Sequence, residues 1–196
     1  MSVHEITAKI NNSSILGMGS KPDSNSTNRH NTLSATHRLK NSFVHTKATV
    51  NATSNRLSFV DAASSIDFNS SYIHFQDDWT TCGTLDVNRR LVASGNFSGC
   101  TYKVFDSGSG AFTCLHIARP SGKGADALVG LADDYAAQKK WTLVREVKTV
   151  GHIGVNGCKE IFLISYLSPN KEIHTIRVNL NNMGLVVDKE LFVDKV

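Results

Sequence analysis

From residue 42 onward the chain alternates short apolar runs with turn-forming clusters. Phe43-Val44-His45-Thr46-Lys47-Ala48-Thr49-Val50 is rich in β-branched residues and predicts a strand. Further strands are predicted at Arg56–Val60, Tyr72–Gln76, Arg89–Ala93, Thr101–Asp106, Ala111–Ala118, Trp141–Val147, Ile161–Leu167 and Ile173–Leu180. A last hairpin or edge strand follows Gly184. One long segment has helical period. From about Gly124 to Lys140, residues Leu128, Val129, Leu131, Ala132, Tyr135 and Ala136 supply an apolar face. A shorter helix is predicted near Thr32–Lys40. Many strands and one major helix predict an α+β fold: a mainly antiparallel, β-sandwich-like core with the helix packed on it.

The first 41 residues break this pattern. Ser, Thr and Asn dominate them, as in Ser24-Asn25-Ser26-Thr27-Asn28. They read as a flexible, basic N-terminal segment of the kind a secretion leader uses, with the folded domain at 42–196. Charge divides similarly. Residues 1–55 carry Lys9, Lys21, Arg29, Arg38, Lys40 and Lys47 against Glu5 and Asp23, and the remainder is balanced. A nucleic-acid binder carries its basic excess on the folded part, so a nucleic-acid partner is not expected. No apolar run reaches the ~20 residues of a membrane-spanning helix. A monomer is expected.

The four cysteines, Cys82, Cys100, Cys114 and Cys158, form no CxxC pair and no metal-ligand spacing. Neither a metal nor another cofactor is implied. Three of them, Cys82, Cys114 and Cys158, read as buried free thiols. Cys100 differs because it follows the loop Ser94-Gly95-Asn96-Phe97-Ser98-Gly99. Such a loop lets backbone N–H groups approach a reacting carbonyl and form an oxyanion hole. Ser98 and Gly99 shape that loop, and the amides of Gly99 and Cys100 are the natural donors. Ser107-Gly108-Ser109-Gly110 is a hairpin signal between two predicted strands. A three-residue loop pairing Asp106 with Gly110 sets Cys100 directly opposite His116, with Cβ atoms roughly 4.5–5.5 Å apart. A two- or four-residue loop puts them on opposite faces. An imidazole beside the thiol can take its proton and later protonate a leaving amine. Asn69, Asp86 and Asn96 are candidate side chains for orienting that imidazole. His74 and His174 read as solvent-facing, His152 as a loop residue, and Ser121-Gly122-Lys123-Gly124 as the turn into the helix.

Phe97-Ser98-Gly99-Cys100, followed sixteen residues on by His116, resembles the Leu-Ser-Gly-Cys motif of the bacterial toxin glutamine deamidases. These include the cytotoxic necrotizing factor catalytic domain and the Burkholderia lethal factor. The likeness covers about 25 residues, Gly95 to Ile117, with Phe97 in place of the usual Leu. It implies Cys100 as nucleophile, His116 as base, and an imidazole held by a backbone carbonyl of another strand. It implies a host protein as substrate, of the Rho-family GTPase or translation-initiation factor type. It further implies a secreted or injected protein acting in the host cytoplasm. Two alternatives stay open. The same site could serve a cysteine transglutaminase or protease, or the chain could be a non-enzymatic β-rich interaction domain.

Overall fold

The computed structural model describes residues 3–12, 15–23, 29–61, 68–120 and 126–196. Among the described residues, thirteen strands join in one sheet. They are β1 (Gly17–Met18), β2 (Arg29–Ser34), β3 (Leu39–Val50), β4 (Arg56–Asp61), β5 (Ser70–Ile73) and β6 (Thr80–Leu85). After them come β7 (Leu91–Phe97), β8 (Thr101–Gly108), β9 (Ala111–Ile117), β10 (Thr142–Lys148), β11 (Glu160–Leu167), β12 (Glu172–Leu180) and β13 (Val186–Lys195). Helix α1 (Val3–Asn11) precedes the sheet, and α2 (Ala127–Gln138) lies between β9 and β10.

The order β10-β8-β9-β6-β3-β5-β7-β11-β12-β13 is a single path, so the expected sandwich gives way to a curled, nearly closed sheet. The long strand β3 is the reason. It pairs with β6 through Leu39–Asn41 and with β5 through Phe43–Thr46, so one twisted strand carries the sheet around a corner. The two ends of the path then meet. Arg145 on β10 forms a salt bridge with Asp194 on β13, and its guanidinium lies 4.9 Å from the Phe192 ring centroid. Most pairs are antiparallel, but β1–β4, β3–β6 and β5–β7 are parallel.

Alternation along β8 separates two cores. Tyr102 and Val104 point inward with Cys114, Phe97, Ile73 and Leu163. Lys103 and Phe105 point outward, where α2 covers Leu115 and Ile117 with Leu128, Ala132, Tyr135 and Ala136. Lys103 is buried beneath that helix and donates to Asp133 of α2 and pairs with Glu146 of β10.

Two expectations change, and described parts of residues 3–41 contribute to the core. Helix α1 buries Ile6 and Ile10 against Val44 and Ala48, and β3 already begins at Leu39. The span Thr32–Lys40 forms the end of β2, a turn and the start of β3 rather than a helix. Strand β6 was not predicted, yet it sits between β3 and β9. Its Gly83 needs close approach, since a Cβ there would lie 2.9 Å from Ile73. The Ser121–Gly124 turn and the start of the predicted helix at Gly124 lie outside the described residues. Among the described residues no helix is long and apolar enough to cross a membrane.

Candidate active site

The β8–β9 hairpin turns on two residues, Ser109 and Gly110, both with positive φ. Gly108 pairs with Ala111 across that turn. An irregularity between Asp106 and Gly108 then leaves Ser107 as an extra residue, and regular pairing runs from Asp106–Phe112 to Thr101–Ile117. This bulge, rather than a three-residue loop, absorbs the odd residue. Cys100 and His116 therefore share the inner face. The expected direct opposition is corrected to a diagonal one: Tyr102 pairs with His116, and Cys100 lies two residues before Tyr102, just ahead of β8.

A second bulge builds the other wall. Ile161 pairs with Phe97 and Leu163 with Ser94, so Gly95 and Asn96 face the single residue Phe162. In a regular strand Ser94 and Phe97 would point to opposite faces. The bulge lets both touch His116. Ser94 Oγ lies 2.9 Å from Nδ1, and the Phe97 ring stacks on the imidazole at 3.7 Å between centroids and 10° between planes. Gly95 is required here, because a Cβ would come within 2.6 Å of the Phe162 ring and 2.7 Å of the Tyr72 hydroxyl. Phe75 is the other aromatic neighbour of His116, at 5.2 Å.

These contacts fix the tautomer. The Ser94 hydroxyl has one proton and donates it to the Ile73 carbonyl at 2.8 Å. Toward His116 it accepts, so Nδ1 carries the ring proton and Nε2 keeps its lone pair. Nε2 is buried and has no hydrogen-bond partner among the described residues, Cys100 Sγ included. Burial pushes the imidazole pKa down to about 3, so the ring is neutral near pH 7. A neutral imidazole with a free Nε2 is the form a general base requires.

Cys100 is 5% exposed. Desolvation raises its thiol pKa above the ordinary value. The backbone N–H groups of Arg119, Ser98 and Cys100 oppose that by hydrogen bonding to the thiolate, and the Asp77 charge adds to the rise. The group rests as a thiol, with three amide donors around its sulfur. Gly99 is not one of them. Its N–H donates to Thr149 Oγ1 at 3.1 Å, and that hydroxyl donates to the Cys100 carbonyl at 2.8 Å. The Thr149 N–H reaches the same carbonyl at 3.1 Å. The expected Gly99 donor is thus committed to holding the loop, which leaves Ser98, Cys100 and Arg119. Gly99 still sets the path, with φ at +150°.

The other candidates lie elsewhere. Asn69 bonds the Ala48 backbone, Asp86 caps the Asn88–Arg89 turn, and Asn96 accepts from Lys21, so none orients His116. Ser94 does so instead, interposed before a backbone carbonyl. It and Thr149 gave no signal in the sequence. His74 is buried rather than solvent-facing. His174 is half-buried between Tyr166 and Glu172, and His152 accepts from Arg177. Cys114 shares the inner face with His116 but lies in the core beside Tyr102, with its thiol pushed up to about 12 by burial. All four cysteines are free and buried. No group of three or more His, Cys, Asp or Glu able to hold a metal occurs among the described residues.

The chain matches no protein-family model, and no curated protein matches it. Among solved structures it is similar to the C-terminal domain of CNFy from Yersinia pseudotuberculosis, at 9% identity and a TM-score of 0.40. That likeness covers 78% of this chain and 72% of the other.

Proposed function

We propose that the chain is a cysteine-dependent protein-glutamine deamidase that acts as a bacterial toxin or effector on a host protein. The observation that carries this reading is the state of His116. It shares a face with Cys100, is locked by Ser94 as the Nδ1–H tautomer, and holds a buried Nε2 lone pair without a partner among the described residues. A buried acceptor left open costs roughly 1–3 kcal/mol, which a fold does not ordinarily accept without use for the group. The Phe97-Ser98-Gly99-Cys100 motif supports the toxin assignment.

In this mechanism the substrate carboxamide enters beside Cys100, and Sγ attacks its carbon as Nε2 takes the thiol proton. Catalytic hydrogen bonds commonly tighten only once substrate is bound. The amides of Ser98, Cys100 and Arg119 receive the charge that develops on oxygen. The imidazolium, which burial disfavours in the free protein, keeps its Nδ1–H bond to Ser94 and is compensated by the negative charge of the adduct formed beside it. It returns the proton to the leaving nitrogen, and ammonia departs. Water, deprotonated by Nε2, then hydrolyses the thioester to glutamate. The burial of Cys100 favours a side-chain amide, which can reach inward on flexible bonds. The main-chain amide of a bound peptide lies flush with the surface, so proteolysis is disfavoured.

The test is conversion of glutamine to glutamate in a target protein, read by mass spectrometry for the wild type and Cys100→Ser. The wild type alone should convert it. Equal conversion by Cys100→Ser would overturn the assignment.

A further inference from the structure

A groove of about 430 Å³ adjoins the nucleophile loop, walled by Lys21, Asn96, Ser98, Lys159, Glu160 and Asn182 among others. Ser98 lies two residues before Cys100, within ~7 Å along the chain. A peptide seated in the groove therefore runs beside the loop that carries Cys100. The charges on its walls are unevenly satisfied. Lys21 donates to Asn96 Oδ1 at 2.7 Å and to Glu160 Oε1 at 2.8 Å, so the groove's carboxylate and one amide oxygen are already occupied. Lys159 is exposed and has no ion pair or hydrogen-bonded side-chain partner among the described residues, and the Asn182 amide has none either. What remains open is an ammonium, an amide and the Ser98 hydroxyl. That set offers donors and one uncompensated positive charge.

We propose that this groove is the substrate-selecting subsite. It takes the peptide segment flanking the reactive glutamine and favours segments that carry Asp or Glu beside it. The inference rests on the deamidase reading above and adds the substrate class: an acidic glutamine-containing segment. The ammonium of Lys159 pairs with the carboxylate, and the Asn182 amide and Ser98 hydroxyl meet peptide carbonyls. Lys21 and Glu160 keep the groove open by satisfying each other.

Two blocked synthetic peptides test it, each with one glutamine, flanked by Glu in the first and by Lys in the second. Binding is measured by fluorescence anisotropy on full-length Cys100→Ser. The Glu peptide should bind about tenfold tighter, a preference that shrinks with added salt. Lys159→Glu, an exposed change outside the catalytic machinery, should abolish or invert the preference. Equal binding of the two peptides, binding of neither, or an unchanged preference in Lys159→Glu would overturn the subsite. Ammonia release by the wild type separates the two claims. A charge preference in binding with no ammonia released refutes the deamidase reading and leaves the groove standing. Ammonia release without a charge preference does the reverse.

Discussion

Replacing His116 by Phe should remove a large part of the protein's acid sensitivity. The wild-type ring is fully buried and held neutral, with its pKa pushed down to about 3. In the unfolded chain the same ring titrates near 6.5. The folded pKa is the lower one, so the unfolded state binds the proton first. Stability is complete above about pH 6.5 and is lost as pH falls toward 3. At about pH 5 the unfolded ring lies ~1.5 units below its pKa, which costs the fold about 2 kcal/mol. The loss reaches about 4 kcal/mol once pH falls to 3, against a total stability of roughly 5–15 kcal/mol for a domain. Phe keeps the stack on Phe97 and leaves Ser94 bonded to Ile73, so it does not orphan a buried group. Urea unfolding followed by the fluorescence of Trp79 and Trp141 measures both proteins at about pH 8 and pH 5. The other histidines contribute equally and cancel. The difference in stability between wild type and variant should change by about 2 kcal/mol between the two conditions. Parallel pH dependence would mean that His116 protonates normally, and the buried-base reasoning would fail.

Ser94→Ala should cost roughly 1–3 kcal/mol by leaving Nδ1–H without an acceptor. In the proposed reaction it should lower kcat more than it raises KM, measured with a glutamine peptide and an ammonia readout. Gly95→Ala should lower Tm, with about 1–3 kcal/mol lost in denaturant unfolding, because its Cβ meets Phe162 and the Tyr72 hydroxyl below 3 Å. Thr149→Val should cost about 1–2 kcal/mol by freeing the Gly99 N–H and losing one bond to the Cys100 carbonyl. Thr149→Ser should restore most of it, and amide hydrogen exchange at Gly99 should separate the two variants.

The strands with dense β-branched residues were legible, since Phe43–Val50 and Ile173–Leu180 pack on neighbours in the way their composition predicts. Thr80–Leu85 was not legible. Its glycine and lack of aromatics hide a strand whose stability comes from pairing on both sides, with β3 and β9. Helix α1 escaped for a related reason: Ile6 and Ile10 mark a narrow apolar stripe that only tertiary burial makes decisive. At the site, Cys100 and His116 carry recognisable chemistry, and the parity of the hairpin was the correct question. The Ser107 bulge answers it with a diagonal placement rather than an opposed one. Ser94 was invisible because strict alternation sends it and Phe97 to opposite faces. Only the bulge at Gly95-Asn96, packed against Phe162, brings both to one ring. Thr149 acts from β8's neighbour in space, 49 residues along the chain from Cys100, and no local pattern announces such a bond.

The most direct measurement is the rate at which iodoacetamide, itself a primary carboxamide, labels each cysteine in the native protein. Peptide mass spectrometry would resolve the rates for wild type and His116→Phe near neutral pH. Cys100 should label ahead of Cys82, Cys114 and Cys158 in the wild type and lose that lead in the variant. Slow, uniform labelling of all four thiols, unchanged by loss of the imidazole, would contradict a Cys100–His116 catalytic pair.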